Sequence, residues 1–513
     1  MMKKTFNTLI VLLLMAGSSA LFAQIKTNGT GGGNWSSPST WLGGLPNGTQ
    51  IVTIQASDTV TFDVPVTITD SIICYSGKTS TFDSSQVVFG NGGVYKHAAN
   101  AGKLPKATWN EGSTCLITSV VDTMPSNANQ NFYNLVWDCP EQSTGLNLGM
   151  ATTVIGGDIR VVNSNTVALR LTAGNVTVPS RRKLLTINGN IFVDSSVAYI
   201  TATGSGSPND TFSVVLKGNI YSKGNFQLAN GSGGSVNWYV AGNISAVEGS
   251  FTTNSIATKP DSLYFNGTTR QLFVRTDSVS SSNIHYAVMD GAIVDFDTSN
   301  AGTSAGATFD LRDGGTLVSG HPNGVNGNIT VTGAVTLSSA ANYVFDGAEG
   351  QVTGTMMPAT VNNLTIDNAA GVELTQATTI NGVLALKAGV FNNTVPYTLG
   401  PGGSLSLEGG SLLVTSVQDR DNAGIPQKFF VDQNFPNPFN PSTSISFGIP
   451  KRSFVTVTVY DIIGKEVAAV HAGELNAGVH ELHFDASRLS SGVYLYKVEA
   501  GNSVAVKRMV LLK

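Results

Sequence analysis

Asp295 and Asp297 flank Phe296 in the run VDFDT. Alternate residues of an extended strand share a face, so this spacing predicts two carboxylates on one side, about 7 Å apart. Such a pair could hold calcium, or act as acid and base on a glycosidic bond. Asp310, Arg312 and Asp313 in FDLRDGG could add to that face. Gly302-Thr303-Ser304-Ala305-Gly306 spells G-x-S-x-G, the nucleophile elbow, which needs a strand before it, a helix after it, and a histidine and an acid nearby. The surrounding SNAGTSAGATFD carries no helical pattern, so the match reads as chance in a chain rich in small residues. Arg181-Arg182-Lys183 is a basic triplet that could receive a sugar acid, but its place before the strand at Leu184 reads as a solvated corner. The histidines (His97, His285, His321, His471, His480, His483) show no metal-ligand spacing; His480 and His483 have opposite parity on a strand. No phosphate-cradling glycine loop stands before a helix. The expectation is therefore no catalytic, cofactor-binding or metal residue, with calcium at the paired aspartates as the one ion left open.

Two further sets concern packing as much as chemistry. Cys74, Cys115 and Cys139 read as small buried hydrophobes; in an oxidising compartment the alternative is one disulfide, Cys115–Cys139 being nearest in sequence, with one thiol left over. Trp35 and Trp41 could stack on sugars, but in a stacked β-structure the expected task is to cap the first coil.

The elements that must position these residues are strands. The chain has 513 residues, net charge −4, 57 glycines and only 12% charged residues, about half the usual charged share. A charge-poor, slightly acidic body argues against a nucleic-acid or anionic-membrane partner. An apolar strand entering a Gly-Asn turn recurs in LLTINGNIFV from Leu184, VVLKGNIYS from Val214, NWYVAGNISA from Asn237 and VNGNITVTGAV from Val325. The turn glycines are Gly189, Gly218, Gly242 and Gly327. The first two intervals, 29 and 24 residues, are about one turn of a parallel β-helix. Glycine would supply left-handed corners, and stacked asparagines could ladder their amides. SLYFNGTTRQLFV from Ser262 and NYVFDGAEGQVTG from Asn342 form a longer pair, with Gly267 and Gly347 equivalent, and NFYNLVWDC from Asn131 reads as a third, diverged copy. Almost no helix is expected outside the leader. The fold class read here is all-β: a parallel β-helix or β-solenoid body followed by a small immunoglobulin-like sandwich, a jelly roll being the alternative for the body.

The domain reading is 1–23 signal peptide, 24–106 N-terminal β-rich cap and first coils, 107–415 repetitive solenoid body, 416–430 linker, and 431–513 C-terminal domain. Lys3 and Lys4, the apolar run Leu9 to Ala16 and small residues before Gln24 make the leader; it is too short to span a bilayer. The linker SVQDRDNAGIPQK replaces apolar alternation with charge, glycine and proline. Beyond it, strands are expected at Ser444 to Ile449, Phe454 to Tyr460, His480 to Phe484, Val493 to Val498 and Val504 to Leu512, with turns at Gly464, Gly473, Gly478, Gly492 and Gly501.

Three resemblances follow from these residues. The opening NWSSPSTW with its glycine-proline turn resembles the start of many secreted bacterial β-helix proteins. The central units resemble filler repeats of large surface-displayed Bacteroidota proteins. QNFPNPFNPS (Gln433, Asn434, Pro436, Asn437, Pro438, Phe439, Asn440, Pro441), YDIIGKEV with Gly464, SGVYLYKV with Gly492 and Tyr494, and the closing VAVKRMVLLK resemble the type A C-terminal sorting domain of the type IX secretion system. That resemblance implies an immunoglobulin-like sandwich, type IX secretion machinery as partner, and a secreted or cell-surface location; the signal peptide, with no other stretch apolar enough to cross a bilayer, implies passage through the periplasm and no membrane span after its cleavage. The function expected is a non-catalytic adhesin or matrix-like protein; a polysaccharide lyase or hydrolase, or a glycan-binding protein, is the alternative, with extracellular glycans or surface polymers as candidate ligands.

Overall fold

The computed structural model describes residues 24–81, 86–172, 182–203, 211–231, 235–254, 260–275, 283–302, 306–413, 426 and 428–513. The leader, Arg181, Ser304 and most of the linker lie outside the described residues. The chain divides into two compact units, one ending at Leu413 and the other at Lys513.

The first unit is a parallel β-solenoid. Its main face is an eighteen-stranded sheet, parallel throughout except for one strand, Trp41–Leu42. A central coil shows the plan: Ile191–Val193 on the main face, Tyr199–Thr203 on a second and Thr211–Leu216 on a third, after which Ile220–Ser222 stacks in parallel on Ile191–Val193. Successive coils pair in parallel on all three faces, which a jelly roll of hairpins does not do. Ile191 registers with Ile220 and Ile220 with Ile244, reproducing the 29- and 24-residue intervals. Alternation along each short strand sends Ile191, Val193, Val214 and Leu216 inside and the intervening residues to solvent. Ring contacts knit the interior, as between Phe226 and Phe251 (5.3 Å) and between Phe273 and Phe296 (5.2 Å).

The Gly-Asn corners work differently from the expectation. Gly189, Gly218 and Gly242 do not adopt left-handed backbone. They are glycines because the coils touch there: a Cβ on Gly218 would overlap the Gly189 carbonyl, and one on Gly242 the Gly218 carbonyl. The asparagine ladder forms as expected. Asn219 donates from its backbone and its side chain to Asn190 Oδ1 (both 2.9 Å), and the Asn243 backbone donates to Asn219 Oδ1 (2.7 Å). Each rung thus satisfies corner groups that no sheet reaches.

At Val325 the strand–turn–strand expectation fails. Val325–Asn328 is one helical turn entered through Gly324 at φ +56°, and Gly327 packs where a side chain would meet the His321 ring. The run Val60 to Ile68 is two strands, Thr59–Phe62 and Val66–Ile68; Pro65 lies between them and cannot donate to a ladder. The 80-residue pair shares a local device. Gly267 and Gly347 each donate to a buried glutamine four residues on, Gln271 (2.7 Å) and Gln351 (2.8 Å), which donates in turn to carbonyls of a neighbouring coil. However, Asp261–Phe265 lies on the third face and Asn342–Phe345 on the main face, so the device recurs without a matching repeat of coils. In the stretch from Asn131 the buried glutamine, Gln142, accepts from Trp137 Nε1 instead (2.9 Å).

The first coil is capped. Trp41–Leu42 runs antiparallel on the open edge of Ile25–Thr27, covering a ladder edge that would otherwise pair with another chain. Trp41 Nε1 donates to the Trp35 carbonyl (2.9 Å), and Trp35 lies edge-on to Trp41 and stacks on Phe62 (5.0 Å). Both indoles are buried, so the capping reading holds over sugar stacking. Cys74, Cys115 and Cys139 are free and buried; burial pushes the Cys139 thiol up to about 12.

The second unit is an antiparallel sandwich of seven strands: β1 (Phe430–Val431), β2 (Ser442–Ile449), β3 (Ser453–Tyr460), β4 (Glu466–Leu475), β5 (Gly478–Asp485), β6 (Gly492–Ala500) and β7 (Ser503–Leu511). The sheets are β1-β2-β5 and β4-β3-β6-β7, enclosing Ile445, Phe447, Val457, Val459, Tyr496 and Leu511. Strand β4 is missing from the sequence expectation, and Gly473, read as a turn, lies inside it. Two register shifts in its pairing with β3 break the period of two along EVAAVHAGEL.

The glycine column yields a test. Gly218→Ala should lower stability by about 2 kcal/mol or more, because backbone rather than a flexible side chain must give way; the urea midpoint of the purified protein measures it.

Candidate functional site

The expected acid pair is not a pair on one strand face. Asp295 is the last residue of strand Ile293–Asp295, while Asp297 has φ +47° in the following turn and donates its backbone N–H to Asp295 Oδ1 (2.8 Å). Asp295 is buried and accepts from Arg270. The Arg270 guanidinium also reaches Asp346, at 2.7 Å from both carboxylates. Burial raises the Asp346 carboxyl against the pull of Arg270, with Asp295 and Asp367 adding to the rise. Arg270 thus ties Asp295 on the directly paired strand to Asp346 on a coil further along the stack.

Asp310 pairs with Arg312 (2.9 Å), and Asp313 bonds Ser338. They lie on the third face beside an outward stack in which Tyr239 and Tyr264 are parallel at 4.6 Å, with Arg312 over Tyr264 at 5.8 Å. His285, next in that group, bonds Thr308 (2.8 Å), and burial holds its imidazole below the usual value against the opposing pull of Asp310. A second outward column on the main face runs from Arg160, 4.1 Å over Phe192, to Tyr221, stacked on Phe192 at 5.2 Å. Sequence reasoning missed both columns, because their members lie in different coils and become neighbours only once the register is known. Arg182 and Lys183 open the strand Arg182–Ile187. Among the described residues no group of three or more His, Cys, Asp or Glu could hold a metal ion. Two open depressions, one lined by Trp35, Leu45, Pro46 and Val66 and one by Trp109, Asn129 and Gln130, bring no acid and base together.

The motif residues of the second unit do converge. Asn434 is buried; its backbone N–H donates to Tyr496 Oη (2.9 Å), and its amide donates to Thr443 Oγ1 (3.0 Å) and the Pro436 carbonyl (3.1 Å). Tyr496 Oη donates to the Asp432 carbonyl (2.7 Å). Gln433 donates to the Arg508 carbonyl (2.6 Å), and Asn437 Oδ1 accepts from Val510 N–H (2.8 Å). Phe439 is buried beside Phe484, and its backbone exchanges bonds with Val510 and Leu512 (both 2.9 Å). The Pro441 carbonyl accepts from Ala486, and Asn440 is exposed between these anchors. The Phe435–Pro436 and Asn437–Pro438 bonds are cis. Gly464, at φ +84°, closes the β3–β4 hairpin; Asp461 Oδ1 there accepts from Ile463 and Lys465 (both 3.0 Å). Gly492 opens β6 opposite Leu511, and Tyr494 Oη donates to the Ser490 carbonyl (2.8 Å). The proline-asparagine run is thus a strap that side-chain and backbone bonds hold across β7.

Residues 433–512 match the family described as the secretion system C-terminal sorting domain. This unit is a sorting domain. Its match carries the chain's export through the type IX secretion system and a secreted or surface location. No curated protein and no solved structure matches the chain. No helix among the described residues is long and apolar enough to cross a membrane.

A pH test follows from the coil interior. His97 is buried, its Nε2 bonds the Ala101 carbonyl (2.8 Å) and its Nδ1 has no partner; burial holds its imidazole below the usual value of 6.5. The unfolded chain therefore takes up a proton near pH 6.5 that the folded chain refuses, so this stability is complete above that pH and is lost as pH falls. His97→Asn should flatten the decline of the urea midpoint between pH 7 and pH 5.

Proposed function

We propose that this protein is a non-catalytic extracellular β-solenoid of a Bacteroidota-type bacterium, led into the periplasm by residues 1–23 and passed across the outer membrane by its sorting domain. There it serves adhesion or a matrix at the cell surface. The observation that carries this reading is the joining of a sorting domain to a long solenoid whose clustered aspartates are engaged with arginines. Asp295 and Asp346 are tied to Arg270 across coils, and Asp310 is paired with Arg312 two residues on, so the carboxylates best placed for chemistry are already engaged in ion pairs. Polysaccharide cleavage would require free acids and a base facing one substrate. Deleting 431–513 should leave the chain cell-retained, read by fractionation and mass spectrometry of the mature termini. Pectin, alginate and similar polymers incubated with the purified protein and calcium should remain uncut; cleavage would reverse the non-catalytic reading.

Glycan binding without chemistry is the second reading, favoured by Tyr221. Tyr221 is 41% exposed, one face of its ring stacks on Phe192, and the next rung along the column is only Ser245. An aromatic face left open beside a small residue suits a pyranose ring. On a glycan array, binding that Tyr221→Ala abolishes is the expected outcome of this reading.

A further inference from the structure

The register of the sorting domain places four separated sequence motifs at one end of the sandwich. β3 ends at Tyr460, which pairs with Leu495 near the start of β6, and Gly492 pairs with Leu511 at the end of β7. The β3–β4 hairpin tip, the start of β6 and the end of β7 therefore project the same way. The proline-asparagine strap lies there too, bonded to Tyr496, Arg508, Val510 and Leu512.

That end displays apolar side chains that no packing requirement explains. Ile463 is 83% exposed, Phe435 81%, Ile462 74% and Leu512 54%. The first three are the most exposed large apolar residues of the described chain. The isoleucines are held out, not loosely carried: the Asp461 carboxylate accepts two backbone bonds, Asp461 exchanges backbone bonds with Lys465 and Gly464, and Gly464 takes the left-handed conformation the turn needs. A rigid turn lifting two β-branched apolar residues into water is costly unless a partner covers them. Asp461, Lys465 and Arg508 close by are of mixed sign, so charge does not define the partner; apolar surface does.

We propose that the sorting domain is read end-on: Ile462 and Ile463, with Phe435 and Leu512 at the same end of the sandwich, dock into an apolar cleft on a protein of the secretion machinery. This rests on the export reading above and names the surface that carries it. The strap then has a mechanical task, fixing Phe435 and the end of β7 in register with the hairpin tip so that one rigid face is presented.

The test uses the full chain in its secreting host. Ile462→Ser with Ile463→Ser should cut the ratio of exported to cell-retained protein about tenfold or more, as loss of a central apolar anchor does elsewhere. Phe435→Ser, outside the hairpin, should give a loss of the same kind. Phe454 (58% exposed) and Val504 (53%) lie at the opposite end of the same sheet; the pair Phe454→Ser with Val504→Ser should export like the parent. Unchanged thermal midpoints of the purified variants show that folding is intact. If the isoleucine variant does not fold, Phe435→Ser decides alone. Normal export of the folded end variants overturns the proposal, as does an equal loss from the Phe454 and Val504 pair. Truncation of 431–513 separates the two levels: retention of the truncated chain with free passage of the end variants sinks only the end-on inference, while export of the truncated chain sinks the export reading itself.

Discussion

Backbone hydrogen bonding between successive coils, at a spacing of about 4.8 Å, is the constraint on which the solenoid depends. Once one coil lies on the next, like residues must stack on like. The interior column takes isoleucine over isoleucine, and the corner column takes glycine over glycine because no Cβ fits between carbonyls. Corner amides off the sheets need partners of their own, and Asn190, Asn219 and Asn243 supply them. The same stacking makes outward rings pile face to face, as Tyr239 and Tyr264 do. Coil edges are the remaining liability, and the antiparallel strand at Trp41 closes the first one.

The sorting domain obeys a different rule. Its strands pair antiparallel and its strap is held by side-chain bonds centred on Asn434 together with backbone bonds at Phe435 and Phe439. Burying an amide is costly unless its donors are satisfied; Thr443 and the Pro436 carbonyl do so. The motif residues thus divide into those that build the strap, such as Asn434, Asn437 and Phe439, and those that shape exposed turns, such as Gly464.

Much of this was legible in the residues themselves. The NGN, KGN and AGN corners announce the coil length because stacked backbones demand glycine at fixed intervals, and the alternation around them announces short strands. What those corners do not disclose is the reason for glycine, which is crowding by a neighbouring coil and not its own torsion angle. The helical turn at Val325 was hidden because VNGN spells the same corner. Strand β4 was hidden because its register shifts erase the alternation that marks its neighbours. The Asp295 pair misled because Asp297 already lies beyond the strand, and the partner of Asp295, Arg270, is 25 residues away. Contacts that exist only between coils, such as Arg160 over Phe192, leave no local spelling at all.

An antiparallel strand caps the first coil, and the main-face ladder runs on from there to Ser404–Leu407. Between these limits the strands of each coil pair with those of its two neighbours, as Ile220–Ser222 does with Ile191–Val193 and Ile244–Ala246. Whole coils could be inserted or lost in the interior without disturbing the tryptophan cap. The length of such a body changes in steps of one rung, about 4.8 Å each.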